Sequence, residues 1–77
     1  MEYDAALEEE MQLLWNHGQI LKRGQPFNRD NAVAVEKRLR DCAARARSNN
    51  RLFGASQLER MALELTAMID ATAREEN

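Results

Sequence analysis

Residues 13–27 read LLWNHGQILKRGQPF, and the parsing of the chain depends on whether this stretch is a reactive site or the closing turn of a helix. It holds the only Trp, the only His and the only Pro, with two of the three Gly. Its second half has the form of a helix terminus. Lys22 and Arg23 complement the negative end of the helix dipole, and Gly24 is expected to take a left-handed cap. Pro26 lacks the N–H needed to continue the helix, and Phe27 is placed to cover the joint. The first half belongs to the helix itself. With successive residues turned by about 100°, Leu14, Trp15 and Leu21 share a stripe with Tyr3, Leu7 and Met11. A first helix is therefore predicted over residues 3–23, with Trp15 anchoring the core. Gly18 lies in the same stripe. It costs roughly 1 kcal/mol relative to Ala within a helix, so it should mark a close approach by another helix.

Working outward, Ala32, Val35, Leu39, Cys42 and Ala46 step by three and four and predict a second helix over residues 29–48. Asn28 or Asp30 can cap its start, and Ser48-Asn49-Asn50 forms a turn cluster at its end. A third helix is expected over residues 56–75, opened by the capping box SQLE, with Ser56 as N-cap and Glu59 reaching back. Its seam is Leu58, Met61, Ala62, Leu65, Met68, Ile69 and Thr72. Short connections make successive helices antiparallel neighbours. The expected fold is all-α: a single domain of residues 1–77, either a three-helix antiparallel bundle or an extended helical hairpin with a third helix. A chain of 77 residues buries only about 60–65% of its unfolded surface, so completion by homodimerisation is expected.

Composition narrows the chemistry. The single Cys42 forms no internal disulfide, reads as a small buried hydrophobe, and suits a reducing, cytoplasmic setting. No apolar run approaches the length of a membrane span. Glu8, Glu9 and Glu10 are consecutive, point about 100° apart and cannot converge on one atom. His17 has no second His or Cys at helical spacing with which to hold a metal, and sits at the edge of the apolar stripe. There is neither a phosphate-binding Gly loop nor a nucleophile with a base at motif spacing. No enzyme, cofactor or metal is expected.

The net charge of −2 conceals a segregation. Residues 1–20 carry five acidic groups and no Lys or Arg; residues 21–51 carry nine basic against three acidic; residues 52–77 carry two basic against five acidic. Arg38 and Arg45 flank one side of the second helix's seam, and Arg40, Arg47 and, if the helical phase continues, Arg51 flank the other. Flanking positions are where helices exchange salt bridges, so the basic helix is expected to pair with its acidic neighbours.

Two stretches resemble known families. Leu13, Leu14, Trp15, Gly18 and Gln19 resemble the phytochrome-binding motif of phytochrome-interacting factors over eight residues, without the basic helix-loop-helix domain that accompanies it. The chain from Val35 to Ala73 resembles the α-hairpin co-chaperones of type III secretion needle subunits in pattern, without a diagnostic motif. Neither supports membership of a family.

Some apolar residues have no place in a three-helix core: Ala6, Leu13 and Ile20 on a second ridge of the first helix, and Leu63 on the third. They suggest a partner surface. The expected function is a small non-catalytic protein–protein interaction module, such as an adaptor, a co-chaperone or a phage-type inhibitor of a host machine. It would bind through Leu13, Ile20 and Leu63, rimmed by Arg38, Arg40, Arg45 and Arg47. The alternative is a small nucleic-acid-binding regulator that uses those four arginines on phosphates.

Overall fold

A computed structural model of the chain describes residues 4–75. These form three helices and no strand: α1 (Ala5–Arg23), α2 (Arg29–Ser48) and α3 (Leu52–Glu75). All three pack against one another in a rod of 50 × 17 × 16 Å.

The helix ends follow local chemistry with two corrections. Asp4 caps α1, its Oδ1 accepting from the Leu7 N–H at 3.0 Å. The expected start at Tyr3 lies outside the described residues. α2 spans the predicted residues, and of its two candidate caps the Asn28 side chain performs the role, accepting from the Asn31 N–H at 3.1 Å. The first correction concerns Gly24, which is extended rather than left-handed (φ −66°, ψ 140°). Its N–H donates to the Leu21 carbonyl at 3.3 Å, satisfying the helix end, and the chain then leaves through a cis Gln25–Pro26 bond. Phe27 packs on the core as expected.

The second correction is larger. α3 begins at Leu52, four residues before the predicted Ser56, and the capping box does not form. The turn out of α2 is tight: Asn50 takes a left-handed φ of 61°, a conformation Asn tolerates, and the Arg51 N–H donates back to Ala46 O at 2.8 Å. Arg51 O then accepts from the Ala55 N–H at 2.9 Å, so the new helix is already under way. Starting early buries Ala55 completely beside Leu58 and brings Gly54 against α1. That burial outweighs the local preference of Ser56 for a cap. Ser56 is instead an exposed residue within the helix.

Most of each predicted seam forms the core; Met68 and Thr72, at the far end of the α3 seam, are only half-buried. Leu7, Met11, Leu14 and Leu21 of α1 are buried, as are Ala32, Val35, Leu39, Cys42 and Ala46 of α2 and Leu58, Met61, Ala62 and Leu65 of α3. Ala43 and Ala55 join them; Trp15 and Ile69 are partly buried against the same cluster. α2 runs antiparallel to both neighbours: Arg45 reaches Glu10 of α1, and Arg47 and Arg40 reach Glu59 and Thr66 of α3.

Consequently α1 and α3 run parallel, and a reciprocal device holds them together. A Cβ at Gly18 would lie 2.6 Å from Met61 Cγ and 2.8 Å from its Sδ. A Cβ at Gly54 would meet the Cε methyl of Met11. Each helix thus offers one glycine to a methionine of the other. Met11 to Gly54 and Gly18 to Met61 are each 43 residues apart, as parallel helices require. Gly18 therefore serves an intrachain contact, and its neighbour is α3.

Candidate interaction surfaces

The charge segregation resolves into a network within the chain. Arg45 Nη2 donates to Glu10 Oε1 at 2.6 Å across α1 and α2. Arg47 holds Glu59 with two bonds, Nη2 to Oε1 at 2.6 Å and Nε to Oε2 at 3.3 Å, across α2 and α3. Arg40 pairs with Glu36 one turn earlier and donates from Nη2 to Thr66 Oγ1 at 3.2 Å. Lys22 Nζ meets Glu64 Oε2 at 2.7 Å, joining α1 to α3. The capping-box residue Glu59 is therefore held by α2 rather than by its own helix. Arg51 departs from the expected phase: α2 ends at Ser48, the turn reverses the chain, and Arg51 pairs with Glu8 of α1.

Of the four α2 arginines singled out in the sequence, Arg38 alone makes no salt bridge within the described residues. The hydrogen bond from Arg45 holds the Glu10 carboxyl below the usual carboxylate range. The charges of Arg45 and Arg38 assist, and partial burial opposes them. Burial pushes the Cys42 thiol up, and the Glu10 charge adds to the effect, so Cys42 is a fully buried neutral side chain. Among the described residues no cluster of His, Cys, Asp or Glu could hold a metal ion, and no helix is long and apolar enough to cross a membrane.

Leu13, Ile20 and Leu63 are all well exposed, at 63%, 68% and 61%. The structure does not bring them together. Leu13 and Ile20 are seven residues apart on the flank of α1 that faces α2. There Ala6, Glu9, Glu10, Leu13, Leu14 and His17 of α1 and Arg38 of α2 line a shallow depression. Leu63 lies on the other side of α2. It follows Glu59 by one turn, on the α3 flank that carries the Arg47 and Arg40 partners Glu59 and Thr66.

Sequence reasoning missed a third surface. Phe53 is 79% exposed, the most exposed large apolar residue described, and Leu52 and Val33 are also exposed. Phe53 edges an open groove between α1 and α3, lined by Glu8, Met11, Gln12 and Trp15 on one side and Gly54, Gln57 and Leu58 on the other. Met11 and Leu58 are buried and make its floor; Trp15 is half-buried and makes a wall. The signal was present but hidden by the late start assigned to α3. Extending the helix back to residue 52 places Phe53 half a turn from the buried Ala62 position, hence outward.

The class defined is an all-α bundle of three helices, up, down and up, closed by interhelical salt bridges and carrying apolar side chains on three separate flanks. Compared with known proteins, the chain matches no family model, no curated protein and no solved structure.

Proposed function

We propose that this chain is a small non-catalytic protein–protein interaction module, of the adaptor, co-chaperone or inhibitor kind, that works as a homodimer. One observation carries the reading. The bundle closes its own core, yet Leu13, Ile20, Leu63 and Phe53 remain more than 60% exposed. Leu13 and Ile20 share one flank and Phe53 edges the apolar groove of Met11, Trp15 and Leu58, and apolar patches of this kind are characteristic of surfaces that bind other proteins. Leu13, at one end of the Leu13–Ile20 ridge, shares a depression with Glu9, Glu10 and Arg38. Such a ridge suits an amphipathic partner helix that lays its apolar face along it.

The nucleic-acid alternative is the weaker reading, since Arg40, Arg45 and Arg47 are already engaged by Glu36, Glu10 and Glu59. Phosphate contacts would have to displace those carboxylates. Partner capture from the native host with the wild-type chain and a Leu13→Glu/Ile20→Glu variant tests the proposal. The variant should keep its helical circular dichroism and lose the partner. Undiminished capture by the variant would remove the ridge from consideration. A duplex titration at low salt separates the alternative: saturable binding there would favour the arginine reading.

A further inference from the structure

We infer that the groove between α1 and α3 receives a second copy of this chain, each copy seating its Phe53 against Trp15, Met11 and Leu58 of the other about a twofold axis. The inference rests on the homodimer reading above and assigns it a face. A twofold interface sets one patch against itself, so projection and recess must lie side by side on the same surface. That arrangement is present: Phe53 projects at the edge of the recess that Met11 and Leu58 floor and Trp15 walls.

Charge selects the occupant. Identical surfaces brought together oppose like charges wherever the patch carries a net charge. Here the rim is Gln12 and Gln57, and among the described residues the only ionised one lining the groove, Glu8, is paired with Arg51. The patch is neutral and can meet its own copy without repulsion. The α1–α2 depression differs: the carboxylates Glu9 and Glu10 outnumber Arg38 there, so two copies of it would set like charges together. Composition agrees with the choice. Interface centres are enriched in aromatic residues and Met and depleted of charge, and this groove gathers Trp15, Phe53 and Met11.

Sedimentation of the full chain over a wide concentration range, with Trp15 emission read in parallel, tests the face. Phe53→Asp is the variant of choice because it should fold. Phe53 lies in the first turn of α3, which carries no acidic residue, and an Asp there complements the helix dipole. The wild type should sediment at twice the 8.8 kDa chain mass, with Trp15 emission shifting to the red on dilution. Phe53→Asp should weaken association by on the order of 100-fold, as loss of a central aromatic anchor does, with its helical circular dichroism retained. Leu63→Asp, on the α2–α3 flank, should leave the dimer intact. A dimer indifferent to Phe53→Asp would overturn this face while leaving the homodimer standing. A wild type that remains a single chain at every concentration would overturn self-pairing altogether, leaving the partner-binding proposal to its own capture test.

Discussion

At the scale of single residues, the two α1–α3 contacts look alike but should respond differently to a methyl group. Gly18 faces Cγ and Sδ of Met61, atoms near the root of a buried side chain that has little freedom to retreat. Gly18→Ala gains roughly 1 kcal/mol in helix propensity but overpacks the contact at a cost of about 1–3 kcal/mol. Net destabilisation is expected, measurable by urea unfolding. Adding Met61→Ala should recover part of that loss, so the double variant should be more stable than the sum of the single effects implies. Gly54 faces the end of the Met11 side chain, the terminal methyl closely and Sδ at ordinary contact distance, and that end can swing aside. Gly54→Ala should therefore be neutral or stabilising by up to about 1 kcal/mol. Equal losses at both positions would show that the helices, rather than the methionine tips, set the spacing.

At the scale of elements, the helix caps make a sharp comparison. Asn28 caps α2 through its side chain, so Asn28→Ala should cost about 1 kcal/mol. Ser56 lies inside α3, and Ser56→Ala should leave chemical denaturation unchanged or slightly improved. A cost at Ser56 equal to that at Asn28 would mean that α3 begins where the SQLE motif places it. The pairing of Glu10 with Arg45 adds a pH dependence. The Glu10 carboxyl is held below its ordinary value in the folded chain, so its contribution is present above the unfolded value of roughly pH 4.3. That contribution is lost as the pH falls through the depressed folded value. Glu10→Gln should lower stability at neutral pH and flatten its decline on acidification, which unfolding curves across that range would reveal.

These comparisons also show what the residues made legible. The seams of all three helices were readable because each follows the period of the helix, and so were the α2 bounds, where cap, seam and turn cluster agree. The α3 start was not readable. Its local signal at Ser56 competes with a gain that exists only in the bundle, the burial of Ala55 and the approach of Gly54 to Met11. The same shift concealed Phe53 and with it the α1–α3 groove. Arg40, Arg45 and Arg47 were readable as pairing residues that flank the seam, whereas Arg38, on the same reading, makes no salt bridge within the described residues. Beyond Arg47 the left-handed Asn50 breaks the helical phase and sends Arg51 to α1.

At the scale of the whole molecule, a 77-residue chain has little stability to lose, of order 4–12 kcal/mol at typical per-residue values. Leu39 is fully buried on the central helix, and Leu39→Ala should remove about 2–5 kcal/mol. A large fall in thermal midpoint is expected, approaching global unfolding at the lower end of the range; a shift of only a few degrees would imply that the core collapses around the lost side chain. The exposed salt bridges contribute less individually. Their effect is to match the basic α2 to an acidic neighbour on each side.

The paired glycines and methionines have a consequence for how the chain avoids mispairing. Both contacts recur at a spacing of seven, so a slide of α3 by two turns along α1 would keep every apolar stripe aligned and cost the hydrophobic pattern little. Slid one way, Met61 would stand opposite Met11, two long side chains in the space of one. Slid the other way, Gly54 would stand opposite Gly18 and leave a void. Alternating large with small at that spacing turns an otherwise slippery pair of parallel helices into a ratchet with a single tooth engaged.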